Sequence, residues 1–219
     1  MKLFKTTLIC SAILSSTLTM NANATEEGNW FLRPIISLSN LSDTSGQINY
    51  AGDIGASQVA TDSGFSAGLG LGYQYNSNLA VEFFWEYRTN DSDTTVPDNS
   101  VIAGNYASNI FYLNGFYYFD QAENSNWKTY VGAGLGWVQE IDIDLEINST
   151  EESYSGDGQT AFQLFAGTQY ALGENLDLQF ELRYGNVSSI DMTNEISNVP
   201  FNGLDYKTTS LQVGLVYEF

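Results

Sequence analysis

From Asn29 onward the chain repeats one theme: a segment in which apolar and polar side chains alternate, then a turn or a polar stretch. Eight such segments stand out, at 29–40, 64–76, 78–90, 106–119, 126–141, 159–171, 175–189 and 206–219. The last is the clearest. Leu211, Val213, Leu215, Tyr217 and Phe219 share one face, and Gln212, Gly214, Val216 and Glu218 the other. The seventh sets Leu176, Leu178, Phe180, Leu182 and Tyr184 against Asp177, Gln179, Glu181 and Arg183. The third sets Leu79, Val81, Phe83, Trp85 and Tyr87 against Glu82, Glu86 and Arg88. A period of two is that of a strand and not of a helix. The fourth and sixth segments alternate less cleanly.

The connections alternate as well. Those at 76–78, 120–125 and 172–175 are short and rich in turn formers, whereas 41–63, 90–105, 142–158 and 190–205 are long and polar. Short turns at one end and long loops at the other, with an even number of strands, predict an all-β, eight-stranded antiparallel up-and-down barrel. Parity identifies its solvent. Arg33, Arg88, Lys128 and Arg183 lie on the less apolar face of their segments, together with Glu82, Glu86, Asp177 and Glu181. The glycine runs 68-70-72 and 132-134-136 share that face. A water-soluble barrel keeps its apolar face inside; here the charged face is the one narrow enough to be the interior. The barrel is therefore expected to span a membrane, its lumen filled by an ion-pair network of these eight residues and by Phe84, Phe116, Tyr130 and Phe165. Arg88 is expected to pair with Glu82 or Glu86, and Arg183 with Glu181. The outward face is aliphatic, with aromatic rings such as Tyr73, Trp85, Trp127 and Trp137 near strand ends, as two interfacial girdles require.

Composition adds three constraints. Lys2 and Lys5, an apolar stretch and Ala22-Asn23-Ala24 read as a secretory signal peptide over 1–24, leaving 25–219 as the barrel domain. The single cysteine, Cys10, falls inside that signal, and the chain has no histidine. The mature part would carry five basic residues against 26 acidic ones, a net charge near −21. This opposes nucleic-acid binding, which needs a basic footprint. No metal site, cofactor or thiol chemistry is indicated.

Four stretches resemble the small outer-membrane β-barrel superfamily, the OmpA/OmpX-type transmembrane domain and the opacity and surface-antigen porin-like proteins. Gly64 to Tyr73 followed by Asn78 to Glu82 resembles its second hairpin. Asn114-x-x-Tyr117-x-Phe119 resembles the fourth strand, and Tyr130 to Gly136 the fifth. The ending Leu215-Val216-Tyr217-Glu218-Phe219 resembles the terminal strand, in which Leu215, Tyr217 and Phe219 would be the signal read by the barrel-assembly machinery. The resemblance covers the expected mature chain, without the peptidoglycan-binding domain of OmpA-type proteins. It implies a Gram-negative outer membrane and contact with its lipid and lipopolysaccharide.

Enzymes of this barrel type generally use a histidine base, so catalysis is not expected. The function read from the sequence is a structural or surface-interaction barrel serving envelope integrity or adhesion through its loops. The alternative is a narrow porin-like channel for small solutes. The third long loop is unusual, because Ile141, Ile143, Leu145 and Ile147 prolong the alternation of the fifth strand in phase. Strands five and six are thus expected to project as a flag whose free edge takes a surface partner, with Asp142, Asp144 and Glu146 as the contact residues.

Overall fold

The computed structural model describes residues 28–50, 52–122, 125–147 and 150–219; the signal-peptide segment lies outside these. Eight strands cross in chain order: β1 (Asn29–Leu41), β4 (Ser63–Gln74), β5 (Leu79–Thr95), β6 (Val101–Tyr118), β7 (Trp127–Ile147), β9 (Thr160–Ala171), β10 (Leu176–Asn194) and β11 (Pro200–Glu218). Each pairs antiparallel with the next, and β1 closes on β11 from Phe31↔Glu218 to Leu41↔Thr208. Closure leaves no backbone edge unpaired, which hydrocarbon demands.

The predicted facing holds through the lower part of the ring, next to the short turns. Leu38, Val81, Leu113, Leu135, Leu182 and Leu211 are exposed, while Arg33, Glu82, Arg88, Glu181 and Arg183 are buried. Trp127 and Trp137 mark the two belts on β7, about the 9–11 residues needed to cross a bilayer. Inside, glycines make room for large neighbours: a Cβ on Gly72 would collide with the Phe31 ring, and one on Gly132 with that of Phe165.

The upper part differs from the sequence-based expectation. The stretches read as loops contain three further strands, β2 (Thr44–Tyr50), β3 (Asp53–Thr61) and β8 (Thr150–Gly156). Where β1 ends, β2 takes its place beside β11; where β4 begins, β3 stands above it beside β5; β8 stands above β9, between β7 and β10. The order β11–β2–β3–β5–β6–β7–β8–β10 is again a closed ring of eight. The cylinder therefore continues beyond the membrane. Thr61 ties the first handover by donating from its amide to Asp43 Oδ1 (3.0 Å) and from its hydroxyl to the Leu41 carbonyl (2.6 Å).

The expected flag with a free edge is corrected on two points. The 21-residue β7 has the expected length, but β6 and β8 cover both its edges. Its alternation also does not stay in phase. The register moves from Ile110↔Val138 to Asn109↔Glu140, so Gln139 is an extra residue, a β-bulge. Below it Gly132, Gly134, Gly136 and Val138 face in; above it Ile141, Ile143 and Leu145 do. β10 makes the same switch through shifts between Val187 and Met192, with Ser189 at φ +56°, and turns Ile190 and Met192 inward. The reason is the change of solvent. Beyond the headgroups the surroundings are water, so apolar side chains must change sides to be buried. With Ile48, Val59, Tyr106, Phe201 and Leu204 they form one apolar core inside the upper ring.

Candidate functional site

The interior of the lower ring is built in layers. Next to the short turns, Phe31, Phe116, Tyr118, Tyr130 and Phe165 form an aromatic floor, with Phe116 and Phe165 at 4.9 Å between centroids. Above it lie three arginines and three glutamates, balanced in charge and all buried. Arg33 on β1 grips Glu82 on β5 with two hydrogen bonds of 2.6 Å, the bidentate geometry that suits a guanidinium. Its Nη1 lies 3.6 Å from Glu181 on β10, whose other oxygen is 2.6 Å from Arg183 Nη2. Glu82 and Glu181 thus hold Arg33 and Arg183 in one chain of charges. Arg183 lies 4.6 Å and Arg33 4.9 Å from the centroid of the Phe84 ring, so one ring serves two cations.

Neutral groups complete the set. Asn114 donates to Glu82 (2.8 Å), and the Tyr130 hydroxyl (2.7 Å) and Gln179 amide (3.0 Å) donate to Glu181. Arg88 pairs with Glu86 at 2.7 Å; Ser66 donates to the same carboxylate at 2.7 Å, and Arg88 donates to Ser39. Buried charge persists when paired and hydrogen-bonded in this way.

Six of the eight expected lumen charges therefore meet. Arg88 takes Glu86 and not Glu82, because Glu82 is held by Arg33. Lys128 and Asp177 are corrected: both are half-buried at the short-turn mouth and neither forms an ion pair among the described residues. The Lys128 ammonium instead sits 4.1 Å above the centroid of the Tyr118 ring. The neutral partners Ser39, Ser66, Asn114 and Gln179 were not singled out from the sequence, although each has inward parity.

Between the charged layer and the upper apolar core is a cavity of about 10 Å³ lined by Glu86, Arg88, Tyr112, Arg183 and Tyr206 among others, room for about one water. Upward from there Tyr106, Ile141, Ile143, Leu145, Ile190 and Phe201 fill the cylinder. The lumen is closed twice, by charge pairs and then by hydrocarbon.

Asp142, Asp144 and Glu146 point out from the upper part of β7, opposite Ser155, Ser153 and Glu151 of β8. Partial burial, then the charges of Asp144, Glu140, Glu195 and Glu151, push the Asp142 carboxyl up to about 6. No three carboxylates converge as metal ligands among the described residues. Leu215, Tyr217 and Phe219 lie exposed on the outer face of the chain end, and the Phe219 amide donates to the Trp30 carbonyl at 2.9 Å. Of the five cations in the described residues, Arg33, Arg88 and Arg183 are inside, Lys128 is at the lower mouth, and Lys207 is outside, paired with Asp205 at 2.7 Å.

The family model for the outer membrane protein β-barrel domain matches residues 9–219. An uncharacterized protein of Haemophilus influenzae is 27% identical over 150 residues, 63% of this chain and 78% of that protein. Among solved structures, OprG from Pseudomonas aeruginosa superposes with a TM-score of 0.69 at 17% identity, covering 89% of this chain and 97% of OprG. Neisserial surface protein A gives 0.57 at 15% identity, covering 87% and 97%. At such identities these two establish a shared fold.

Proposed function

The chain belongs to the outer membrane protein β-barrel domain family, and from that premise we propose that it is a non-conducting, non-catalytic barrel whose upper ring is a surface for interaction. The lower ring anchors it among outer-membrane lipids. The upper ring stands outside the cell as a rigid platform and presents Asp142, Asp144 and Glu146 outward from a supported strand pair. The signal peptide would bring the chain to the periplasm, and Leu215, Tyr217 and Phe219 would present it to the assembly machinery.

The observation that carries the reading is the double closure of the lumen. A solute path would have to separate Arg33, Glu82, Glu181 and Arg183 and then cross a dry core. Each of the three buried glutamates already has an arginine partner, and the chain has no histidine, which supports a role other than catalysis. Reconstitution in a planar bilayer separates this reading from the small-solute channel. The barrel is expected to give no steady conductance steps at neutral pH; sustained, solute-selective steps would establish the channel instead.

A further inference from the structure

Outside the cylinder, within the lipid-facing belt, lies an open groove of about 960 Å³. It follows a row of cross-strand neighbours, Tyr73–Val81–Gly115–Ala133–Leu164–Tyr184, on β4, β5, β6, β7, β9 and β10. The next row, one pleat closer to the short turns, contains Tyr117, Val131 and Ala166. The floor is low where Gly115, Ala133 and Ala166 adjoin, and Val81, Val131 and Leu164 form its walls. Because barrel strands tilt by about 35–45°, a row perpendicular to them runs obliquely through the bilayer. This one starts at Tyr73, beside the short turn at 76–78, and climbs away from it.

Gly115 keeps the floor of the hollow open. Every other strand glycine either has positive φ or has an atom within 4 Å of where a Cβ would lie. Gly115 has neither, so a side chain would fit there without strain. Glycine inside a strand weakens it and marks places where a ligand or another backbone approaches closely. Here the approach is from the lipid side.

We infer that the groove holds one acyl chain of a glycerophospholipid from the periplasmic leaflet, more firmly than the bilayer around it. The tyrosines at its lower end, Tyr73 and Tyr117, sit at headgroup level, where a ring with a polar tip is favoured. A second copy of the barrel fits poorly. A two-fold contact sets a patch against itself, and a hollow facing a hollow encloses a void. A flexible chain fills it.

The test is native mass spectrometry of the full barrel, refolded with phosphatidylethanolamine and then exchanged into lipid-free detergent. The wild type is expected to retain one phospholipid per barrel. Gly115→Leu and Ala133→Leu, which fill the floor from outside, should lower retention at least tenfold while keeping the gel-mobility shift on boiling that reports a folded barrel. Equal retention in the variants, or none in the wild type, overturns the inference. So does preferential retention of added lipopolysaccharide, or a wild-type dimer that the substitutions dissolve.

Discussion

Arg33 is fully buried at the level of the bilayer, gripped by Glu82 and flanked by the rings of Phe84 and Phe116. Removing one partner of such a pair strands the other charge, while replacing both with apolar groups of similar size is often neutral or better. Arg33→Met is therefore expected to destabilise the barrel by about 3–5 kcal/mol, and adding Glu82→Leu should recover most of the loss. Urea unfolding in lipid vesicles measures both. Asp142 behaves differently because it stands above the membrane among like charges. Its carboxyl is raised in the folded chain, to about 6, so the folded form holds a proton that the unfolded form has released. Stability of the upper strands should accordingly fall as pH rises through 6 and improve as pH drops towards 4. Hydrogen exchange of the β7–β8 amides at pH 5 and pH 8 would show slower opening at pH 5, and Asp142→Asn should flatten the difference.

At the scale of elements, the switches in β7 and β10 decide what the upper ring buries. A one-residue shift moves every later side chain of a strand to the opposite face. Deleting Gln139 is predicted to expose Ile141, Ile143 and Leu145 and to drive Asp142 and Asp144 into the core. The upper ring should become protease-sensitive, whereas the lower ring keeps its boiling-dependent mobility shift; an undisturbed upper ring would contradict the account. This is also where the sequence stopped being legible. Up to the outer girdle, alternation located all eight strands and the facing of Arg33, Glu82, Glu181 and Arg183. At Gln139 the parity changes without any change in residue type, so Ile141 to Ile147 reads as a continuation of the outward face. β2, β3 and β8 are short and rich in Ser, Thr, Gln and Gly, so Ile48, Val59 and Tyr154 stand alone in stretches that otherwise resemble loops. Ion pairing was legible as a set of partners, but the choice of Glu82 for Arg33 depends on the register that sets Gly70 of β4 between β1 and β5, leaving room for the two side chains to meet over it, and alternation alone does not reveal that register.

At the scale of the whole molecule, one cylinder serves two solvents. Its lower half carries charges inside and hydrocarbon outside; its upper half has a dry core and a polar exterior. Each half therefore has its own occlusion, and neither depends on a mobile loop. Bilayer recordings of a variant lacking 142–157 should remain as silent as those of the wild type, because the Arg33–Glu82–Glu181–Arg183 layer is still in place. Currents appearing on that deletion would place the only barrier in the upper core.

In the proposed orientation, withdrawing three of the five cations of the described residues into the lumen also determines which reagents would find this protein on a living cell. Trypsin cuts after lysine and arginine, and above the bilayer it would meet, among the described residues, only Lys207, held in a paired strand and clasped by Asp205. A surface survey based on tryptic shaving would pass over the barrel, however abundant, while reagents directed at carboxylates would mark it.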